Sequence, residues 1–590
     1  MPSIKTCSIA IVVSFFLTLA SGAADKKKPN PKAEESKPSY ELPQPEKENL
    51  DLDMYQRIRD EGLGHSHVME FASALADGIG SRLTGSPNMK RANEWTRDEL
   101  ATLGCTNAHL EDWGEFGMGW QQLNTWVRMA SPDAAVFIAQ AAPWSPATNG
   151  AVSGPAIWVD IKKEEDFEKY KGKLAGKVVL LGDMREVKPA DKPLFERMDE
   201  KELAKTAEYP LIPENEYSEY LRDAPQRFEL RNKIAKFLAG EHALAVILPS
   251  RDGRNSGGSG GTIFIDRGIG IGTYKRESAM QVPVVIAAIE NYGRVYRLLK
   301  ANVPVDIELN VDTKFTGDHE HGFNTIAEIE GTDPKLKEEV VMLGGHLDSW
   351  AAATGATDNG AGSAVAIEVM RIFNTLHVRP RRTIRVALWT GEEQGTFGSL
   401  RYVEQHFGKI PLSTAPDQLK LPEWMRKAAG PIELKPEDAK ISAYFNLDNG
   451  GGKILGVYMQ ENAVIAPIFA QWIAPLHDIG VTTLTMRNTG STDHEIFDDI
   501  GIPAFQFLQD KLDYITRSHH SNMDTYERLQ PADLAQTATV EAIFVYNAAM
   551  RDQMLPRKPL PHPELEDQRS APLKKLMPGA AEAPEKEEKK

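Results

Sequence analysis

The sequence predicts an α/β protein built on a largely parallel sheet and interrupted by an inserted domain. From Glu339 onward, short apolar strand-like runs alternate with helix-like stretches, as in strand–helix–strand units on a parallel sheet. Acidic and imidazole side chains fall just after the carboxyl ends of those runs, where open α/β sheets form their ligand crevices. Between Ala130 and about Val311 the texture changes. Short apolar runs such as Val178–Leu181 and Ala245–Leu248 alternate there with turns, and Asp183–Gln226 is charged with little apolar pattern.

Taken in chain order, residues 1–24 read as a secretory signal peptide. Lys5 precedes an apolar run from Ile9 to Ala20, and small residues follow through Ala24. That run is short of the roughly 20 residues a bilayer requires, so a secreted or periplasmic protein is expected, off the membrane after cleavage. Cleavage removes Cys7 and leaves Cys105 as the last of 2 cysteines, which excludes an internal disulfide and a cysteine-rich zinc ribbon. Cys105 itself reads as a small buried residue. Residues 25–50, rich in Lys, Glu and Pro, read as a flexible linker.

Residues 51–129, with helical periodicity over Leu52–Gly104, open the main domain, and residues 130–311 form the insertion. Residues 312–555 carry the alternation. Strands are predicted at Val340–Leu343, Thr383–Trp389, Ala443–Leu447 and Ala504–Leu508, and helices at Ala361–Leu376, Ile465–Leu476 and Pro531–Met550. The Pro, Lys and Glu of residues 556–590 predict a disordered tail. An apolar fraction of 41% supports a real core, and a net charge of −16 disfavours nucleic acid as a partner.

The chemistry lies at the strand ends. His346 and Asp348 follow the first strand, Asp358 precedes a glycine-rich helix start, and Glu392 and Glu393 follow the second strand. Asp448 follows the third, and His520 lies in the loop after the fourth. Carboxylates converging on one crevice repel each other and raise each other's pKa; divalent cations remove the conflict. Two such ions balance three carboxylates and a bound hydroxide.

Several segments together resemble metallopeptidase family 28, the co-catalytic zinc exopeptidases, and most nearly its carboxypeptidase Q-like branch. They are Gly345-His346-Leu347-Asp348-Ser349, Thr357-Asp358-Asn359-Gly360-Ala361-Gly362, Gly391-Glu392-Glu393-Gln394-Gly395, Asn446-Leu447-Asp448 and His520-Ser521-Asn522-Met523-Asp524-Thr525. The branch is indicated by Gly80-Ser81-Arg82-Leu83-Thr84-Gly85-Ser86 and the pair His519-His520. The resemblance implies a zinc-peptidase α/β/α sandwich with a mixed, largely parallel sheet, and an insertion similar to a protease-associated domain. It implies two Zn²⁺, with manganese or cobalt compatible with the same O/N donors. Asp358 would bridge them, His346 and Asp448 would complete one site, and Glu393 and His520 the other. Glu392 would be the general base working through a metal-bridging hydroxide on small peptides. Asp348 would orient His346. Other branches carry a tyrosine before the last ligand histidine, where it helps stabilise the oxyanion; here His519 stands there, so that role falls to His519 or Tyr514. Asp493, in Gly490-Ser491-Thr492-Asp493-His494, resembles a family segment near the substrate cleft.

The choice of His520 over His519 as ligand rests on its four-residue step to Asp524. Asp318-His319-Glu320-His321 looks metal-like but reads as a loop, and Trp113, Trp120 and Trp126 read as packing residues. The glycines at 257–261 and 268–270 lack the Lys-Ser/Thr or strand–turn–helix setting of a phosphate site. An aminopeptidase or dipeptidase, with a homodimer allowed, is the expectation. A glutaminyl cyclase-like acyltransferase on the same fold and a non-catalytic receptor-like member are its rivals.

Overall fold

The computed structural model describes residues 46–210, 224–251, 257–265, 269–270 and 272–565. The expected signal peptide, most of the linker, part of the charged stretch and most of the tail lie outside the described residues.

The main sheet runs in the order Thr483–Thr485, Ile454–Tyr458, Ala504–Gln509, Ile441–Asn446, Val340–His346, Thr383–Trp389, Asp306–Ile329, Thr106–Ser131. Its centre is parallel: Val340–His346 lies between Ile441–Asn446 and Thr383–Trp389, and Ile441–Asn446 continues parallel to Ala504–Gln509. Antiparallel pairs with Ile454–Tyr458 and Asp306–Ile329 flank that centre, so the sheet is mixed.

Every residue of Val340–His346 is buried, because helices cover both faces. Its side chains alternate between two cores. Val341 and Leu343 pack with Ala361–Thr375 and Pro531–Met550, whereas Val340 and Met342 pack with Tyr402, Val403 and Phe497. The expected helix Ile465–Leu476 is shorter, α-helical over Ala466–Ile473 and then 3₁₀ over Ala474–Ile479. Pro475 has no N–H to continue the α-helical ladder there.

The residues expected as an insertion build a second sheet. Val152–Val159, Val178–Leu181, Ala245–Pro249 and Val284–Ala287 pair in parallel, and Ala139–Ala141 adds antiparallel at the edge. Its core includes Val179, Val246, Ile263, Ile265 and Val285. Two long strands, Thr106–Ser131 and Asp306–Ile329, pair from Thr106↔Glu328 to Ser131↔Asp306 and run from one sheet into the other.

The segment Asp318–His321 is therefore strand, correcting the loop expectation. Its charged side chains lie largely in solvent on either side, so no apolar alternation marks it. The antiparallel partner captures its backbone, and its side chains pair across the ladder: His319 Nδ1 lies 2.7 Å from Glu115 Oε1, and His321 Nδ1 lies 2.8 Å from Asp112 Oδ2.

Candidate metal centre

His346 is the last residue of the central strand, so the core fixes its backbone. Ser363 Oγ donates to its carbonyl at 2.9 Å. Its Nδ1 lies 3.0 Å from the Asp348 carbonyl oxygen, which makes Nδ1 the protonated nitrogen and turns Nε2 toward the crevice. There Nε2 is 3.2 Å from Asp448 Oδ1, 3.4 Å from Asp358 Oδ1 and 4.0 Å from Glu392 Oε2.

Asp358 sits in an irregular turn before the Ala361–Thr375 helix. Asn359 Nδ2 donates to the Leu447 carbonyl at 2.8 Å, and that carbonyl lies 2.2 Å from where a Cβ on Gly362 would be. Only glycine lets the helix start seat this closely against the strand end that leads to Asp448. Asp358 Oδ2 faces the other way, 3.3 Å from His520 Nε2, which is itself 3.0 Å from Glu393 Oε2.

The adjacent glutamates open a short helix, Glu392–Gly395, after Gly391 in the left-handed region at φ 76°. Their backbone N–H groups both donate to Asp348, at 3.2 and 3.3 Å, and Thr84 Oγ1 donates to the same carboxylate at 2.9 Å. Asp348 thus orients both glutamates as well as standing beside the His346 ring.

The structure brings His346, Asp358, Glu393, Asp448 and His520 together, with Glu392 at the edge of the cluster. His519 stacks on His520 at 3.8 Å between ring centroids, and its Nε2 comes within 4.0 Å of Asp358 Oδ2. Both histidines of the pair can therefore reach the cluster, but the contact with Glu393 belongs to His520. Tyr514 is buried with its ring against His519, centroids 5.0 Å apart. Asp493 stands further back, accepting from Ser399 Oγ at 2.5 Å.

Burial and crowding shift the whole cluster. Burial, reinforced by Asp448 and Asp493, pushes Glu392 well above the usual carboxylate range, although His346 opposes it. Burial and Asp358 do the same to Glu393. Burial lifts Asp493 to about 7. Burial disfavours charge on His346, yet Asp448 and Glu392 hold it well above its ordinary value. Protons are thus shared among groups that would each ionise in water, the conflict that divalent cations relieve. Asp358 Oδ2 and Glu393 Oε1 are buried without a hydrogen-bond partner, and His346, Asp358 and Glu393 offer ligand atoms all within 4.8 Å of one another. The donor set fits hard or borderline cations.

Three supporting residues escaped sequence reasoning as such. Asp524, used there only for its spacing, accepts from Thr357 N at 2.6 Å, Thr357 Oγ1 at 2.7 Å and Asp358 N at 3.2 Å. Burial and Asp358 raise it to about 7. Arg82 is fully buried and donates to the carbonyls of Leu347, Thr354 and Gly355 at 2.7, 2.8 and 2.7 Å, tying the turns after His346 and before Asp358. Asn522 joins the His520 loop to a distant segment. The hint for Arg82 was a lone arginine in the glycine-rich Gly80–Ser86 stretch; Asn522 stood in the His520–Thr525 segment with nothing to mark its partners.

Buried carboxylates and imidazoles converging at strand ends, with oxygens left for a cation, are the donor set of a metal-dependent enzyme. The model of Peptidase family M28 matches residues 324–545 of this chain. It is 26% identical to carboxypeptidase Q of Bos taurus over 498 residues, covering 84% of this chain and 88% of that protein. It is 28% identical to carboxypeptidase Q of Homo sapiens over 288 residues, 49% of this chain and about half, 54%, of that protein. The fold is shared with a crystal structure of a peptidase M28 precursor from Shewanella amazonensis SB2B. The TM-score is 0.59 at 22% identity, covering 86% of this chain and 98% of that one.

Proposed function

We propose that this protein is a two-zinc exopeptidase that cleaves small peptides at a free end, by aminopeptidase or dipeptidase action. One observation carries the reading. The two carboxylate oxygens of Asp358 face different histidines, Oδ1 toward His346 Nε2 at 3.4 Å and Oδ2 toward His520 Nε2 at 3.3 Å. His346 and Asp448 would hold one cation, Glu393 and His520 the other, and Asp358 both.

Bound there, the cations would lower the pKa of a water and polarise the scissile carbonyl. Glu392 takes the attacking water's proton on its carboxylate and returns it to the leaving amine. Its place beside the cluster is held by the backbone bond to Asp348 at 3.2 Å. Asp348 also keeps His346 oriented with Nε2 toward the crevice. Tyr514, whose hydroxyl burial holds protonated, and His519 stand in the His520 loop as donors for the developing oxyanion.

The sequence resemblance to the carboxypeptidase Q-like branch favours dipeptides as substrates. The leader-like residues 1–24 support a secreted or periplasmic location, and no helix among the described residues is long and apolar enough to cross a membrane. The second sheet is read as a protease-associated domain on its sequence resemblance.

Metal analysis combined with a panel of dipeptides, aminoacyl amides and an N-terminal glutaminyl peptide tests the reading. Two zincs per chain with amide hydrolysis are expected. One zinc with cyclised glutaminyl product would replace it with the acyltransferase, and bound metal with no turnover would leave a receptor-like member.

A further inference from the structure

His520 holds a left-handed backbone, φ 58°, which costs a non-glycine residue about 1 kcal/mol or more and persists only where the surroundings impose it. The surroundings come from the inserted region. Phe264 and Ser521 form an antiparallel bridge. Ile265 N–H donates to the His520 carbonyl at 2.7 Å, and Asn522 N–H donates to the Ile263 carbonyl at 3.0 Å. The Asn522 side chain closes the join from both ends. Its Oδ1 accepts from Ile263 N–H at 2.7 Å, and its Nδ2 donates to the Gly261 carbonyl at 3.1 Å.

The gripping segment is itself anchored, since Ile263 and Ile265 are buried in the core of the second sheet. The charged stretch grips the same loop from its other end. Thr516 Oγ1 donates to the Leu194 carbonyl at 2.5 Å, and Glu196 N–H donates to the Leu512 carbonyl at 3.1 Å. Arg197 pairs with Asp510 at 2.8 Å and Asp533 at 2.7 Å.

We infer that the inserted region is part of the metal centre's scaffold, with Asn522 as the positioning residue that sets His520. The inference rests on the proposed role of His520 as a ligand. It makes the cation at Glu393 and His520 depend on the second sheet through the His520 loop. Whatever shifts the inserted region shifts one ligand of one ion.

The test uses the full chain carrying Asn522→Ala or Asn522→Asp. Zinc retention is measured against a competing chelator, and the visible absorption of the cobalt-substituted protein is recorded. Loss of a bond that orients a ligand costs about 10–100-fold in metal affinity. The Ala variant is expected to lose that much at one ion only, and with it part of the cobalt spectrum. The Asp variant, which keeps the bond from Ile263, falls between. Metal-free wild type and variants should melt within a few degrees of each other. Two cations held equally by wild type and both variants, with identical cobalt spectra, overturn the inference alone. Should the Ala variant fail to fold, the Asp variant is read by the same criterion. A wild-type chain that takes up fewer than two cations overturns the proposed function and this inference with it.

Discussion

The two histidines at either side of Asp358 reach it by different routes. His346 ends a strand buried on both faces, with its side chain 1% exposed; His520 sits in a loop with its side chain 22% exposed. The first inherits its place from the buried centre of the sheet, where its strand is paired on both sides. The second inherits it from contacts with segments hundreds of positions away. One half of the site is thus set by the buried sheet and the other by a loop braced from outside it, so the two halves should fail differently when perturbed.

The largest effect is expected at the residue both halves share. Asp358→Ala should release both cations of the proposed site and abolish hydrolysis, because each would lose the ligand they share. Metal analysis checks this, and a variant retaining one ion at full affinity would show that the halves are independent. Glu392→Gln should keep both cations yet lower kcat by roughly 10²–10⁴-fold, the range for a general base. Near-normal turnover would remove Glu392 from the proposed mechanism. Asp348→Ala acts on the strand-held half and should weaken metal by about 10–100-fold. It should also lower kcat, since Glu392 loses the acceptor for its N–H. An effect on affinity alone would confine Asp348 to His346.

The smallest effect lies outside the site. Glu541, in the Pro531–Met550 helix, is buried with neither carboxylate oxygen bonded, and burial holds it well above the usual carboxylate range. The folded state therefore keeps a proton that the unfolded chain releases near pH ~4.3. Its contribution is fully present below that pH and is lost as pH rises toward the folded value, by up to about 1.4 kcal/mol per pH unit. Glu541→Gln should flatten that slope. Urea melts of the metal-free protein between pH 5 and 8 should show the variant gaining on wild type as pH rises; parallel curves would mean Glu541 is charged when folded.

The same contrast explains what was legible in the sequence. The central strands, the Pro531–Met550 helix and the residues following strand ends were readable because apolar period, Pro and Gly act over a few residues. The two long strands were not read. Their period-two pattern is broken by register shifts near Asp112–Gly114, Glu115–Gly117 and Gly117–Trp120; the middle of Thr106–Ser131 is buried without alternation from Phe116 to Trp120, and the middle of Asp306–Ile329 is largely exposed. His520 could be preferred over His519 because Asp524 lies four residues on, and Asp524 is the residue that holds the Asp358 turn. Asn522 and Arg82 left little signal. Their bonds are to backbone carbonyls and amides far along the chain, and such bonds demand no pattern of side chains at the other end.

Ser131 and Asp306 are directly opposite partners at the last rung of one ladder. Everything between them therefore leaves and re-enters the main sheet through a single pair of opposed strand ends. The loop bearing His520 leans on that segment. A change in that segment is thus also felt by the loop that holds His520.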